Sequence, residues 1–428
     1  MKVVCKNWKH FLTVLFTVLV LTAHLNVSLK IEDSSPTYED NSRNYYETTN
    51  LSPVIFVPGD GGSQLEAKLN KTSRVHYICD YTSDWYDIWL NIHLLTPLAF
   101  DCLCDNLRLR YDNKTRLTYN SEGVQIRPTD FGSLDSVAYL DILKVPGTSY
   151  FETIISTIEK QNGYTRNVDM IGAAFDFRKA PNELEDFFNK FQELIQTHYI
   201  MNNYRRVTLI CHSMGCLNSV YLLNRMTDNW KDVFIKRLIT LAAPWDGSFK
   251  AISAMLYGDN LGIPLLNKSK LQALQSTFPS LMYLFPHSPT FEPNRTLVES
   301  PEKNYTLANL EELFKATGLL DQREMWRDTK TIAENLKAPN VELWCLYGSG
   351  VETPSKIVYD GPLNSNKYHE IQGDGDGTVN TESLRACEHF AAKQSKPVYT
   401  RMFENVDHIT ILRGSDAANY ISSEILIK

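Results

Sequence analysis

Long hydrophobic runs are nearly absent from the 428-residue sequence. The one such run, FLTVLFTVLVL at residues 11–21, is shorter than the roughly 20 apolar residues that a membrane-spanning helix needs. It follows Lys2, Lys6 and Lys9 and ends near Ala23, which is the pattern of a signal peptide. We therefore expect residues 1–23 to be a signal peptide and the mature protein to be lumenal or secreted. A short signal anchor is the alternative interpretation.

An excess of positive charge is also lacking. The chain has 43 Lys and Arg against 50 Asp and Glu, a net charge of -7, and no basic cluster, so we expect no nucleic-acid partner. The cysteines show no spacing typical of a zinc site, and we expect no metal and no cofactor. Internal repeats and low-complexity segments are missing too, and 43% hydrophobic residues indicate a globular protein.

Cysteines and glycosylation sequons are present in numbers that suit a secretory route. Seven cysteines follow the predicted signal peptide, and an odd number leaves at least one thiol unpaired in a monomer. Sequons also occur at Asn26, close to the predicted cleavage point, and at Asn50, where Pro53 follows the motif. The five predicted glycosylation sites are Asn70, Asn113, Asn267, Asn294 and Asn304.

Apolar strand-like runs alternate with amphipathic helical runs after a polar lead-in at residues 24–50. The predicted strands are 53–57, 168–174, 206–211, 236–241, 341–347 and 397–403, and the clearest predicted helices are 150–161, 181–199 and 214–225. This alternation predicts an α/β fold, with a mostly parallel sheet and helices on both faces, within one domain at residues 51–428.

A serine lies where a predicted strand meets a predicted helix. Ser213 follows the apolar residues 207–210 and precedes the helix 214–225, with the small residues Cys211 and Gly215 two positions to either side. This context is typical of the nucleophile elbow of an α/β-hydrolase, in which a tight turn presents the serine hydroxyl. An ordinary serine at a helix N-terminus is the alternative.

A serine nucleophile needs a base and an acid, which follow it along the chain in this fold. His408 lies in a loop just after the predicted strand 397–403, the position expected of the base, whereas His389 lies in a helical run. The loop 373–379 supplies the acid, and spacing alone leaves Asp374 and Asp376 open. A calcium loop is the alternative for this segment, but it lacks further oxygen ligands at the required spacing.

Several motifs together resemble the lecithin:cholesterol acyltransferase family, from about Pro53 to the C-terminus. They are Val57-Pro58-Gly59-Asp60, Gln64-Leu65-Glu66-Ala67-Lys68-Leu69, His212-Ser213-Met214-Gly215-Cys216, Leu241-Ala242-Ala243-Pro244-Trp245, Cys345-Leu346-Tyr347-Gly348 and Gly373-Asp374-Gly375-Asp376-Gly377-Thr378-Val379. Asp60 and Gly377-Thr378-Val379-Asn380 make the chain more similar to the lysosomal phospholipase A2 branch than to the plasma branch that esterifies cholesterol. The departures are Cys211, Cys104 and Phe175-Asp176-Phe177 in place of a Tyr-Asp-Trp run.

The resemblance implies roles for individual residues. It implies Ser213, Asp376 and His408 as a catalytic triad, and the backbone amides of Asp60 and Met214 as the oxyanion hole. It also implies disulfides that join Cys79 to Cys102 and Cys345 to Cys387, which leaves Cys211 and Cys216 as buried thiols.

Two insertions interrupt the strand and helix pattern. Residues 68–135 contain a tryptophan-rich segment that we predict to be a helix with apolar residues on more than one side, and the family implies that it contacts membranes. The predicted lipid contacts are Trp85, Trp89, Leu90, Leu94 and Leu95, with plain core packing as the alternative. Residues 245–340 lie where a cap or lid would cover the site, and we interpret Lys250 as a solvated lysine rather than a phosphate contact.

The resemblance thus implies a phospholipase A and O-acyltransferase. It would hydrolyse glycerophospholipid acyl esters through an acyl-serine and transfer the acyl group to water or to a lipid alcohol such as ceramide. The implied partners are a phospholipid membrane surface and the acceptor alcohol, and the protein would be a monomer of the lysosome or the extracellular space. The alternatives are a secreted phosphatidylcholine-sterol O-acyltransferase and a catalytically inactive lipid-binding module.

Overall fold

A parallel sheet of six strands is the centre of the computed structural model, which describes residues 51–260, 266–363, 365 and 367–427. The predicted signal peptide and the polar lead-in lie outside the described residues. The strands are β1 (Val54–Val57), β2 (Leu65–Asn70), β3 (Thr82–Trp89), β4 (Leu109–Asp112), β5 (Leu117–Asn120), β6 (Val124–Pro128), β7 (Met170–Gly172), β8 (Val207–His212), β9 (Ile235–Leu241), β10 (Thr296–Glu299), β11 (Asn304–Thr306), β12 (Glu342–Ser349), β13 (Val351–Tyr359), β14 (Tyr368–Gly375) and β15 (Val398–Glu404).

The order of strands in this central sheet is β15-β12-β9-β8-β1-β7, and every neighbouring pair is parallel. Parallel neighbours need crossover connections, and helices supply most of them. The carboxyl ends of the parallel strands therefore meet at one edge of the sheet, where α/β enzymes place their ligand sites. The predicted α/β-hydrolase class is confirmed by this architecture.

The helices cover both faces of the sheet. They are α1 (Phe100–Leu107), α2 (Asp135–Ala138), α3 (Glu152–Asn162), α4 (Glu185–Met201), α5 (Met214–Arg225), α6 (Asp228–Phe234), α7 (Phe249–Tyr257), α8 (Lys268–Gln275), α9 (Pro279–Tyr283), α10 (Leu310–Thr317), α11 (Leu320–Glu334), α12 (Thr381–Leu384), α13 (Thr410–Arg413) and α14 (Ser415–Tyr420). Shorter 3₁₀ turns span Ile92–Leu95, Pro181–Glu183, Leu307–Asn309 and Arg385–Ala392, and a π-helical turn spans Ile421–Ile425. No described helix has both the length and the apolar content to cross a membrane.

Two hydrophobic cores lie on opposite faces of the sheet because successive strand residues point to opposite sides. Ile55 and Val57 of β1 pack in the core that contains the phenylalanines of α4 and the apolar face of α5. Val54 and Phe56 pack in the core that contains the isoleucines of α3 and the C-terminal helices. Both faces of β1 are thus buried, which explains why its sequence is a continuous apolar run.

The tryptophan-rich segment is not the single helix that its periodicity predicts. Residues 82–89 form β3, which pairs antiparallel with β2, and β6 completes a small three-stranded sheet. Only Ile92–Leu95 is helical, as one 3₁₀ turn in which the Asn91 side chain accepts from the His93 amide. The prediction was wrong because strand pairing with β2 overrides local helical periodicity, and Trp, Tyr and Ile suit a pleated surface.

A second unforeseen feature is a four-stranded sheet of order β11-β10-β13-β14. The hairpin of β13 and β14 lies between β12 and the loop that contains Asp376, which follows the end of β14. The hairpin brings residue 375 back beside residue 351, at the carboxyl end of β12, so the loop still reaches the edge of the central sheet at which β8 ends.

The cysteine pairing differs in part from what the resemblance implies. Cys79 and Cys102 form the expected disulfide, but Cys211 and Cys216 are also bonded, although we expected free thiols. The elbow turn explains this bond, because it brings their Cα atoms to 4.9 Å. Cys345 and Cys387, expected as a pair, remain buried thiols, as does Cys104. The Cys387 side chain contacts the Cys345 side chain, and its thiol also donates to the Leu384 carbonyl within its own helical turn.

The five predicted glycosylation sites, Asn70, Asn113, Asn267, Asn294 and Asn304, are all exposed. A glycan can therefore be attached at each of them without disturbing the core.

Candidate active site

Ser213 occupies a sharp turn between β8 and α5. Its backbone φ of 51° and ψ of -129° lie outside the helical and extended regions, which costs conformational energy for a residue with a Cβ. The Ser213 amide donates to the Leu241 carbonyl at 2.9 Å, which fixes the turn against β9. A Cβ at Gly215 would lie 2.1 Å from the Pro58 carbonyl oxygen, so only glycine permits this close approach. These features are those of a nucleophile elbow.

His408 lies between Ser213 and Asp376. Its Nε2 is 3.0 Å from Ser213 Oγ, and its Nδ1 is 2.7 Å from Asp376 Oδ2. A carboxylate only accepts, so Nδ1 carries the proton and Nε2 presents a lone pair to the serine hydroxyl. In this geometry Ser213 can act as a nucleophile, His408 as its base and Asp376 as the acid that orients the imidazole.

The structure separates the two candidate acids that spacing left open. Asp376 is 1% exposed, and its Oδ1 accepts from the amides of Thr378 and Val379 at 3.0 and 2.7 Å. Asp374 instead accepts from the Gly350 amide at 2.8 Å and makes no contact with His408. Two backbone donors and one imidazole donor hold the Asp376 side chain in place, as an orienting acid requires.

The segments expected to form the oxyanion hole lie beside the serine. Met214 is the first residue of α5, where the free N–H groups and the helix dipole favour negative charge. The loop that contains Asp60 packs on the elbow, since a Cβ at Gly59 would lie 2.7 Å from Ser213 Cβ. Both expected donors are thus in segments that border the reacting atom.

An apolar cavity opens onto Ser213. Its empty volume is about 920 Å³, part of which is open to solvent. Few polar groups are exposed in its wall. The hydrophobic residues that line it are Trp89, Leu107, Phe177, Ala251, Ala254, Leu271, Leu274, Phe278, Leu281, Leu284 and Val379. Such a lining suits a hydrocarbon chain and holds little water.

Asp60 and Lys250 are among the polar residues of this wall. The Asp60 side chain is exposed at the open cavity, but the protein atoms around it desolvate the carboxyl and raise its pKa to about 7. A hydrogen bond from the Gly61 amide lowers the pKa of Asp60, whereas the negative charge of the nearby Asp259 raises it further. Lys250, which we interpreted as solvated, is paired with Asp259 at 3.1 Å.

The predicted lipid-contact residues, Trp85, Trp89, Leu90, Leu94 and Leu95, are all half-buried. Trp89 lines the cavity and donates through Nε1 to the Gly61 carbonyl at 2.8 Å, so it is part of the site wall. The Trp85 ring packs under the Arg127 guanidinium at 4.0 Å. Within the described part of the chain, no group of three or more His, Cys, Asp or Glu could hold a metal ion.

Sequence reasoning missed Tyr150 and His212. Both are buried beside the elbow and hydrogen-bonded to each other and to the segments of the site. The one signal in the sequence is the position of His212 immediately before Ser213. Spacing alone does not show that Tyr150 is the hydrogen-bond partner of His212.

Comparison with known proteins indicates one family for this chain. The family model described as lecithin:cholesterol acyltransferase matches residues 85–419. Relatives include lysosomal phospholipase A and acyltransferase of Homo sapiens, 37% identical over 87% of this chain and 90% of that protein. Phosphatidylcholine-sterol acyltransferase of Mus musculus is 35% identical over 87% of this chain and 85% of that protein.

Among solved structures, the Tle4–Tli4 complex is similar, with a TM-score of 0.54 and 14% identity over 86% of this chain and 96% of that one. At that identity the likeness concerns the fold alone. The family match spans most of the sequence, and the relatives exceed 30% identity over nearly nine tenths of it. This chain belongs to the lecithin:cholesterol acyltransferase family.

Proposed function

We propose that this protein is a serine-dependent phospholipase A and O-acyltransferase, with Ser213 as nucleophile, His408 as base and Asp376 as orienting acid. The observation that carries the proposal is the hydrogen-bonded series Ser213–His408–Asp376 at the wall of an apolar cavity. A complete series of this kind disfavours an inactive lipid-binding module. The names of the relatives, a phospholipase A and acyltransferase and a sterol acyltransferase, support the lipid ester as substrate.

In the first half-reaction, Ser213 Oγ attacks the carbonyl carbon of the ester while its proton passes to His408 Nε2. The amides of Asp60 and Met214 donate to the oxygen that becomes negative. When the tetrahedral intermediate collapses, His408 returns the proton to the leaving oxygen. A lysophospholipid departs, and the acyl group remains on the serine.

In the second half-reaction an alcohol or water attacks the acyl-serine, with His408 again as base. Water yields a fatty acid, and a lipid alcohol yields an acylated lipid. The apolar cavity wall favours the alcohol, because a dry site raises its local concentration relative to that of water. Ceramide is the acceptor that we propose, and the sterol acceptor of the second relative is the alternative.

The proposed membrane-facing surface surrounds the Cys79–Cys102 disulfide. Large apolar residues are exposed on either side of it, among them Tyr77 at 72% and Leu98 at 59%. The Leu90 amide donates to the Leu140 carbonyl at 2.9 Å, which brings the exposed Ile142 and Leu143 to the same region. A group of exposed large apolar residues of this kind indicates a surface that rests on a bilayer.

A mildly acidic compartment suits the site. Since burial raises the pKa of Asp60 to about 7, this carboxyl is neutral in a lysosome and partly ionised at neutral pH. An ionised carboxylate beside the oxyanion hole opposes the negative charge of the transition state. We therefore propose a lysosomal site of action, with export through the same secretory route as the alternative.

Ser213→Ala is the variant that tests the proposal. It should lower both fatty-acid release and transfer to ceramide by roughly four orders of magnitude or more in liposome assays. Ser219→Ala is a matched control, because Ser219 is buried on α5, the helix that follows Ser213, and its hydroxyl donates to the Gly215 carbonyl. Retained activity in Ser213→Ala would contradict the assignment. Assays with ceramide or cholesterol, at acid and neutral pH, distinguish the two acceptors.

A further inference from the structure

A buried hydrogen-bonded series joins the three segments of the site behind the reacting groups. The Gly59 amide lies 3.0 Å from the Tyr150 hydroxyl, which lies 2.6 Å from His212 Nδ1. His212 Nε2 lies 2.9 Å from the backbone carbonyl of His408. Tyr150 and His212 are 2% and 1% exposed, and neither is among the residues that line the cavity.

Each proton in this series has one possible location. A carbonyl only accepts, so the His212 proton is on Nε2 and donates to His408. Burial and the neighbouring His408 hold the pKa of His212 well below its ordinary value, so Nδ1 has no proton and accepts from the Tyr150 hydroxyl. The hydroxyl oxygen then accepts from the Gly59 amide. All donors and acceptors are satisfied in this arrangement alone.

Steric contact reinforces the hydrogen bonds. A Cβ at Gly62 would lie 2.5 Å from Tyr150 Cζ, so the glycine loop lies directly on the tyrosine ring. The same loop also packs on the elbow, since a Cβ at Gly59 would lie 2.7 Å from Ser213 Cβ and 3.2 Å from the Tyr150 hydroxyl. The loop that contains Asp60 is therefore in contact with both Tyr150 and the nucleophile.

We propose that Tyr150 and His212 are positioning residues that set the spacing between the oxyanion hole, the nucleophile and the base. The series contacts Gly59, which precedes Asp60; it includes His212, which precedes Ser213; and it ends on the carbonyl of His408 itself. Small displacements of reacting groups can lower rates by about 100-fold. This inference rests on the proposed function, because it assigns the two residues to that same catalytic site.

Tyr150→Phe removes only the hydroxyl and keeps the ring that supports the glycine loop. It should lower kcat for a soluble short-chain ester by roughly 10- to 100-fold, with KM changed less than about threefold. Tyr164→Phe is the matched control, because Tyr164 is equally buried at 2% and its hydroxyl donates to the Ser52 carbonyl at 2.8 Å. Both variants should lose comparable stability by thermal unfolding, but only Tyr150→Phe should lose kcat.

A double-mutant cycle shows whether Tyr150 acts through His212. In His212→Gln the amide can still donate to the His408 carbonyl, but it has no acceptor at the Nδ1 position for Tyr150. If the two residues form one series, Tyr150→Phe combined with His212→Gln should lose no more kcat than the poorer single variant. Losses that multiply would show that they act separately and would overturn the inference.

A fluorophosphonate probe distinguishes failure of this inference from failure of the proposed function. If wild-type Ser213 is not labelled, the proposed function fails. If wild-type is labelled and active but Tyr150→Phe has the kcat of Tyr164→Phe, only the positioning role fails. Where Tyr150→Phe is less stable, the labelling rate at a temperature well below its unfolding midpoint replaces kcat, and a rate equal to that of Tyr164→Phe overturns the inference.

Discussion

His408 Nε2 lies 3.0 Å from Ser213 Oγ, although 195 positions separate the two residues in the sequence. The contact forms because Ser213 follows β8 and His408 follows β15, and both strands run in the same direction in one sheet. Their carboxyl ends therefore meet at one edge, where the loop after β14 adds Asp376. A mutation of Asp376 should therefore disturb the orientation of His408 more than the stability of the fold.

We expect Asp376→Asn to lower kcat for ester hydrolysis by roughly 10⁴-fold, because an amide can orient His408 in the wrong tautomer. Asp374→Asn is the control, since Asp374 lies two residues away but accepts from the Gly350 amide instead of contacting His408. Steady-state rates with a soluble ester are the measurement. Equal losses in the two variants would show that the loop as a whole, and not the Asp376–His408 hydrogen bond, supports activity.

Asp60 should determine the decline of activity at neutral pH. Burial raises the pKa of this carboxyl to about 7, so it is protonated below that pH and ionises above it. The contribution of Asp60 to kcat/KM should therefore rise as the pH falls through about 7. In Asp60→Asn the decline between pH 6 and 8 should disappear or move to higher pH. An unchanged pH profile would argue against the electrostatic role.

The same raised pKa has a consequence for stability. In the unfolded chain Asp60 ionises near its ordinary pKa of 3.8, whereas in the folded protein it ionises near 7. Its contribution to stability is thus fully present below about pH 4 and is lost as the pH rises through 7. Asp60→Asn should raise the Tm at pH 7.5 relative to wild-type by more than it does at pH 4.5. Thermal unfolding at the two pH values measures the difference.

The parts of the site that the sequence predicted are those with local signals. Strand, small residue, serine and helix follow one another within 20 residues around Ser213, and His408 follows directly after a strand. Asp374 lies in β14 and Asp376 directly follows that strand, and the hydrogen bond between Asp376 and His408 separates their roles.

The features that the sequence did not reveal depend on distant pairing. Residues 85–89 have helical periodicity but lie in β3, because β2 offers a partner strand. The hydrogen bond between Tyr150 and His212 spans 62 positions, and neither residue carries a local sign of the other. The bond between Cys211 and Cys216 depends on a turn geometry that the resemblance did not contain.

The disulfide pattern can be read from alkylation under denaturing, non-reducing conditions. Among the described cysteines, Cys104, Cys345 and Cys387 should be modified. The pairs Cys79–Cys102 and Cys211–Cys216 should be protected until reduction. Peptide mapping by mass spectrometry identifies the linked peptides. A linked peptide that contains Cys345 and Cys387 would contradict the structure and favour the pairing that the family resemblance implies.

The exposed apolar residues around the Cys79–Cys102 disulfide should matter only when the substrate is in a membrane. Tyr77→Ser combined with Leu98→Ser removes two of the most exposed apolar side chains of this surface. The loss of apolar contact area should raise the apparent KM for liposomes by roughly tenfold or more. Hydrolysis of a soluble short-chain ester should be unchanged, because neither residue lines the cavity.

A matched control is available at the end of α4, where Ile200 and Met201 are 55% and 75% exposed. Ile200→Ser combined with Met201→Ser removes similar apolar area elsewhere on the protein, so it should leave liposome activity near the wild-type value. Vesicle co-sedimentation measures binding apart from chemistry, and it should fall only in the Tyr77 and Leu98 variant. Equal losses in both double variants would mean that general surface hydrophobicity, and not this surface, brings the enzyme to the bilayer.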